Sequence, residues 1–198
     1  MKKLLFSFSL LLIGNLSYSQ VSFGVKSGIN IATTRDLIAY PRNRLGWYAG
    51  GLVKIPINKR IAFEPELYFS AKGNRSYNQI GPLKRTTRLN YINMPLLINY
   101  KIIKNTHLLF GPELGYMTSA QIALSNGEVF NVSSSYHRHF DISLGIGISY
   151  TIWKSLGADV RYNYGFNTLY TTDTNGERSS FSNGANRVFQ IGLNYLIK

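Results

Sequence analysis

Cysteine is absent from the 198 residues. That excludes a disulfide scaffold, thiol nucleophiles and thiolate metal sites, and it suits an exported chain that meets oxidising conditions without crosslinks. Acidic residues are scarce, nine against 22 Lys and Arg, for a formal net charge of +13. Long apolar runs are missing as well. The only notable one, Leu4 to Ile13, is too short for a membrane-spanning helix, which needs about 20 residues. No Gly-x-Ser-x-Gly elbow is present, and Gly50-Gly51 and Gly145-x-Gly147 are followed by no Lys-Ser/Thr. The acyl-transfer and phosphate-loop motifs are therefore missing.

What is present begins with Met1-Lys2-Lys3, the short apolar run, and Ser17-Tyr18-Ser19. A positive start, a short apolar core and small residues two apart make a secretory signal peptide over residues 1–19, leaving a single domain over 20–198. Export removes nucleic acid as the partner that such basicity would suggest in the cytoplasm. Anionic headgroups and lipopolysaccharide phosphates become the natural counter-charges.

Alternation of period two recurs along the chain. Phe140, Ile142, Leu144, Ile146, Ile148, Tyr150 and Ile152 share one face, opposite Asp141, Ser143, Gly145, Gly147, Ser149 and Thr151. An apolar face of that depth exceeds an ordinary soluble strand and matches a membrane-crossing one of about 9–11 residues. Similar alternation runs through Val21–Ile31, Ile61–Lys72, Leu108–Tyr116, Leu156–Asn167 and Phe189–Ile197, with less tidy strands at Leu45–Ile55 and Leu89–Lys101. Short connections near Pro56–Arg60, Ile102–Thr106 and Trp153–Ser155 alternate with long polar ones near Thr34–Arg44, Asn74–Thr87, Thr118–Arg138 and Thr168–Asn186. The pattern predicts an all-β fold: an eight-stranded antiparallel up-and-down transmembrane barrel with short periplasmic turns, long extracellular loops and both termini in the periplasm. A soluble lipocalin-like barrel is the rival, but it would turn its apolar faces inward. Aromatics cluster near the strand ends, Trp47, Tyr68, Phe69, Tyr116, Tyr164 and Phe166 on the loop side and Phe63, Tyr100, Tyr150, Trp153 and Tyr195 on the turn side, and those of them on the lipid face would form two interfacial girdles.

Phe23-Gly24-Val25-Lys26-Ser27-Gly28-Ile29-Asn30, Pro65-Glu66-Leu67-Tyr68-Phe69 and Tyr91-Ile92-Asn93-Met94-Pro95-Leu96-Leu97-Ile98 carry a resemblance. So do Gly111-Pro112-Glu113-Leu114-Gly115-Tyr116, Phe140-Asp141-Ile142-Ser143-Leu144-Gly145-Ile146-Gly147 and Arg161-Tyr162-Asn163-Tyr164-Gly165. In that order they resemble the PorT-like family of outer-membrane barrels across essentially all of the mature chain. The resemblance implies an outer-membrane barrel whose namesake serves protein secretion, and it brings no catalytic motif.

Parity assigns Lys26, Lys54, Glu64, Glu66, Lys72, Glu113, Asp141, Asp159 and Arg161 to the inner face. Eight strands enclose a space just wide enough for side chains to fill, and enclosed charges must pair, so these predict an internal ion-pair plug. A gated pore or proton path is the sharper alternative. Glu64 and Glu66 share a face as glycosidase carboxylates would, but the available cations make them plug residues. His137, His139 and Asp141 have a spacing that would seat a metal, yet they lack a further ligand, and a surface polar cluster is expected instead. Serines at Ser133–Ser135 beside those histidines do not make a hydrolase. Arg35, Arg42, Arg44, Arg75, Lys84, Arg85 and Arg88 fall in the first two outward loops against a lone Asp36, and they are the expected contacts for lipopolysaccharide phosphates. The resulting expectation is a non-enzymatic outer-membrane barrel without cofactor or metal. It would be structural or accessory to a surface or secretion assembly, with a narrow channel or small-ligand transporter as the alternative.

Overall fold

The residues that alternate form antiparallel strands in the structure, a computed structural model that describes residues 20–34, 42–77, 84–136, 139–166 and 185–197. The expected signal peptide, Arg35, His137 and most of the last long connection lie outside the described residues. In chain order the strands are β1 (Ser22–Thr34), β2 (Arg42–Pro56), β3 (Ile61–Tyr77), β4 (Lys84–Ile103), β5 (Thr106–Leu124), β6 (Val129–Asn131), β7 (Phe140–Trp153), β8 (Leu156–Gly165) and β9 (Asn186–Ile197). A 3₁₀ turn, Ser133–Ser135, precedes β7.

Hydrogen bonding runs β4-β3-β2-β1-β9-β8-β7-β5, and β4 pairs back onto β5, so eight strands close into a barrel. Closure leaves no barrel strand with a raw edge, which is what a medium without hydrogen-bond partners demands. The three-residue β6 stands outside this count. Among the described residues it pairs with Gln121–Ala123 of β5 alone, past the point where β7 stops.

Local chemistry sets the short turns. Asn58 Oδ1 accepts the backbone N–H groups of Arg60 and Ile61, both at 2.8 Å, and so folds the β2–β3 turn. Lys104-Asn105 and Lys154-Ser155 close two-residue hairpins between Ile103 and Thr106 and between Trp153 and Leu156. Lys154 takes φ 30° to do so.

Three strands outrun the membrane. β3, β4 and β5 have 17, 20 and 19 residues, against the 9–11 or so that suffice to cross. Here the structure corrects the sequence reading: Asn74–Tyr77 and Lys84–Thr87 are strand rather than loop, and Thr118–Leu124 continues β5. A bulge marks the change. Asn90 faces Ser119 while Tyr91 faces Met117, so Thr118 is the extra residue, and its hydroxyl donates to Asn90 O at 3.2 Å. One added residue reverses the faces of a strand. Glu113 and Met117 point inward below the bulge, and Ala120 does so above it.

The outer surface carries an apolar belt. Val25, Leu67, Leu144, Ile146, Ile148 and Leu193 each expose about half their surface or more, and such residues come from every wall. A soluble monomer rarely shows apolar patches beyond a few hundred Å².

Glycines make room inside. Tyr48 is buried with its ring against Gly28 and Gly192. A Cβ on Gly192 would sit 2.0 Å from Tyr48 Oη and 2.7 Å from Ser27 O. Overpacking of this kind costs about 1–3 kcal/mol. Gly192→Ala is expected to lower the unfolding free energy in lipid vesicles by that amount, read by urea titration of tryptophan fluorescence. Gly51→Ala, whose new Cβ meets only Gly24 O at 3.6 Å, should be close to neutral, and equal effects would refute the packing account.

Candidate functional site

The barrel interior is a side-chain network built by inward positions of six strands. Glu66 (β3) lies at its centre. Arg161 (β8) donates from Nη1 to Glu66 Oε2 at 2.9 Å and from Nη2 to Glu66 Oε1 at 2.7 Å, the two-pronged geometry that a planar guanidinium favours. Lys26 (β1) donates to both oxygens of the same carboxylate, at 2.9 and 3.1 Å, and lies 3.7 Å from Asp159. The small inner face of β7 provides the space: a Cβ on Gly147 would lie 3.0 Å from Arg161 Cα.

A second carboxylate, Glu113 (β5), organises the half nearer the extended strands. Lys72 donates to it at 3.1 Å, Tyr68 at 2.5 Å and Asn163 at 3.1 Å, and Asn93 is a further donor. Asn163 also donates to Gln190 Oε1 at 3.0 Å, Gln190 donates to Asn30 Oδ1 at 2.9 Å, and Asn30 donates to Ser70 at 2.9 Å. All of these residues are buried. Tyr68 is therefore a lumen residue, and among the strand-end aromatics it is not one that joins a lipid-facing girdle.

Above Glu113 an apolar cluster of Leu89, Tyr91, Met117, Ala120 and Tyr136 packs together, with Val132 against it. Lys72 Nζ lies 4.9 Å from the centre of the Tyr91 ring, so the cluster rests directly on the charged network. Ser133 ties this cluster to β5: its hydroxyl accepts from Ala120 N at 2.9 Å and donates to Ala120 O at 3.3 Å.

The expected inner charges do not all pair with ions. Glu64 is held by Asn99 at 2.6 Å, and Asn99 in turn contacts His107 Nδ1 at 2.7 Å. Asp141 is held by Asn186 at 2.7 Å. Lys54 is half-buried near the turn end, away from the ion pairs that Lys26, Lys72 and Arg161 make. Amides thus do part of the work that parity had assigned to salt bridges. Asn30 shares the inner-face parity of Lys26, and Asn163 that of Arg161, but no sequence signal identifies which partner each reaches. His139 sits against Tyr116 with ring centres 5.9 Å apart while Asp141 turns inward, so the two do not converge. Among the described residues no group of three or more His, Asp or Glu side chains comes together as a metal site.

The basic residues expected in loops lie on strand extensions instead. Arg42 and Arg44 are on β2, Arg75 on β3, and Lys84, Arg85 and Arg88 on β4. Arg42 stands directly opposite Arg75 in the register, and Arg88 opposite Gly73. Arg44 is half-buried, donates to Lys72 O, and feels the charges of Arg88 and Arg75. Sequence reasoning missed Arg187, which faces outward on β9 with its guanidinium carbon 3.5 Å from the centre of the Tyr164 ring. Its placement was readable in principle, since it shares parity with Phe189 and Ile191.

A closed eight-stranded antiparallel barrel with a continuous apolar exterior and a charged interior is a transmembrane β-barrel. The chain belongs to the outer membrane protein beta-barrel domain family, whose model matches residues 14–171. No curated protein matches it. Among solved structures it is similar to Neisserial surface protein A, with 15% identity and a TM-score of 0.56 over 88% of this chain and 97% of that one. It is also similar to a major outer membrane protein from Thermus thermophilus, with 13% identity and a TM-score of 0.53 over 90% and 100% of the two chains. A third likeness is the attachment invasion locus protein of Yersinia pestis in complex with the heparin analogue sucrose octasulfate, with 12% identity and a TM-score of 0.50 over 89% and 99%. At these identities the likeness is one of fold.

Proposed function

We propose that this barrel is a sealed, non-enzymatic component of the bacterial outer membrane, structural or accessory to a surface or secretion assembly, as its resemblance to PorT-like proteins suggests. On this reading both termini are periplasmic and the extended ends of β3, β4 and β5 stand outside the cell. Its basic rim then meets lipopolysaccharide, with Arg75 and Arg88 on one wall and Arg187 on another.

The observation that carries the sealed reading is the bidentate clamp of Arg161 on Glu66, which spans the lumen beneath the apolar cluster. A water-filled path would have to pass both. The test is conductance of the refolded mature chain in planar bilayers. No discrete single-channel steps are expected at any voltage that the bilayer tolerates. Reproducible steps would overturn the sealed reading and favour the narrow-channel alternative.

A further inference from the structure

The basic rim contains a formed cleft. Where β3, β4 and β5 rise past the apolar belt they frame a cavity of about 360 Å³ lined by Arg75, Lys84, Arg85 and Arg88. Hydroxyls of Ser76, Thr86 and Ser125 share its walls, and among the described residues no Asp or Glu does. The connection between β3 and β4 reads Asn-Gln-Ile-Gly-Pro-Leu over 78–83, so it adds no carboxylate.

Like charges placed opposite one another across a ladder destabilise it. Here Arg42 faces Arg75, and Lys84 and Arg88 share the face of Thr86, the partner of Arg75. The sheet holds these cations together against their repulsion, and the scaffold is tied at its far end. Lys84 N donates to Ser125 Oγ at 3.2 Å, and Ser125 N donates back to Lys84 O at 3.0 Å. Guanidinium forks match the oxygens of a phosphate two at a time, and neighbouring hydroxyls supply further donors.

Height decides which phosphates. From Tyr100, at the turn end of β4, to Arg88 is twelve residues. At about 3.3 Å per residue and a tilt of about 40°, Arg88 stands about 30 Å above Tyr100, just past an apolar band of about 25 Å. That is the level of phosphorylated headgroup sugars, within reach from the side of the barrel.

We propose that this cleft is a discrete binding site for the clustered sugar phosphates of lipopolysaccharide. The proposal rests on the outward orientation given above and goes further in naming one site and one chemistry in place of a diffuse counter-charge.

The test compares the mature barrel in detergent micelles with two triple variants of equal charge change. One is Arg75→Gln, Lys84→Gln and Arg88→Gln in the cleft; the other is Lys59→Gln, Arg60→Gln and Lys104→Gln at the turn end. Both must keep a heat-dependent shift in gel mobility, the sign of a folded barrel. The probes are purified lipopolysaccharide and the same material stripped of phosphate. The cleft variant is expected to bind intact lipopolysaccharide about tenfold or more weaker, since it loses three charge-assisted contacts to the phosphates. The turn-end variant should bind like the native chain, and stripping the phosphates should bring native binding down to the level of the cleft variant. Equal losses in both variants, or native affinity for the stripped lipid, would overturn the site. Orientation is read separately. Asn126→Cys, in a chain without cysteine, should react with a membrane-impermeant maleimide on intact cells. No labelling alongside intact micellar binding would overturn the outward orientation and leave the cleft standing.

Discussion

Replacing Glu66 by Gln is expected to cost this barrel about 3–5 kcal/mol, the usual loss when one partner of a buried ion pair is removed. The size follows from what remains. Arg161 and Lys26 both direct their donors at that carboxylate, and each of the three side chains is buried. Without the charge, two cations face one another across a lumen where the nearest alternative, Asp159, lies 3.7 Å from Lys26 alone. Urea titration in vesicles measures the loss. Pairing Glu66→Gln with Arg161→Gln should recover part of it, because the coupling between contacting residues is not additive. A loss below about 1 kcal/mol for the single variant would mean that the clamp contributes little.

Ile146→Arg should destabilise the barrel by about 2–4 kcal/mol in a bilayer, the range for a cation on the lipid face at mid-depth. Ile146 lies mid-strand on β7, between Phe110 and Tyr162 in the register, and is 55% exposed. On a water-facing wall such a residue would accept Arg within about 0.5 kcal/mol. Val129 on β6 provides the internal comparison: it is 53% exposed but lies on the annex beyond the belt. Val129→Arg is therefore expected to be close to neutral in the same vesicles. Similar costs at both positions would refute the placement of the belt.

The legible parts of this chain are those where the two faces of a strand meet different media. Phe140–Ile152 reads as one strand because lipid selects apolar side chains on one side and the crowded lumen selects small ones on the other; the observed β7 is Phe140–Trp153. Past the belt neither face meets lipid, so Asn74–Tyr77 and Lys84–Thr87 carry polar residues on each side and read as loop. At Thr118 the failure has another cause. The bulge exchanges inside for outside, and a strict period of two then breaks within a continuous strand. The inner charges were readable by parity, but their partners were not. Glu66 and Arg161 are 95 positions apart, and only the barrel's register across the lumen brings them together. Tyr68 follows parity: it shares the inner face of Glu64 and Glu66, so its place near a strand end does not bring it to the interface.

The seam between β1 and β9 has a consequence for assembly. Phe23 pairs with Ile197 and Thr34 with Asn186, so the first strand meets the last along its whole length. Each of the other neighbours in the ring can zip up as a local hairpin while the chain is still arriving, and loop-closure entropy is small for such contacts. The seam must wait for the final twelve residues of strand. Until then two strands carry open rows of amides and carbonyls that a hydrocarbon phase cannot satisfy. Entry into the bilayer and closure of the ring are therefore one event. A chain shortened by its last strand is not a slightly weaker barrel but an open sheet, exposed to pairing with any other edge it meets.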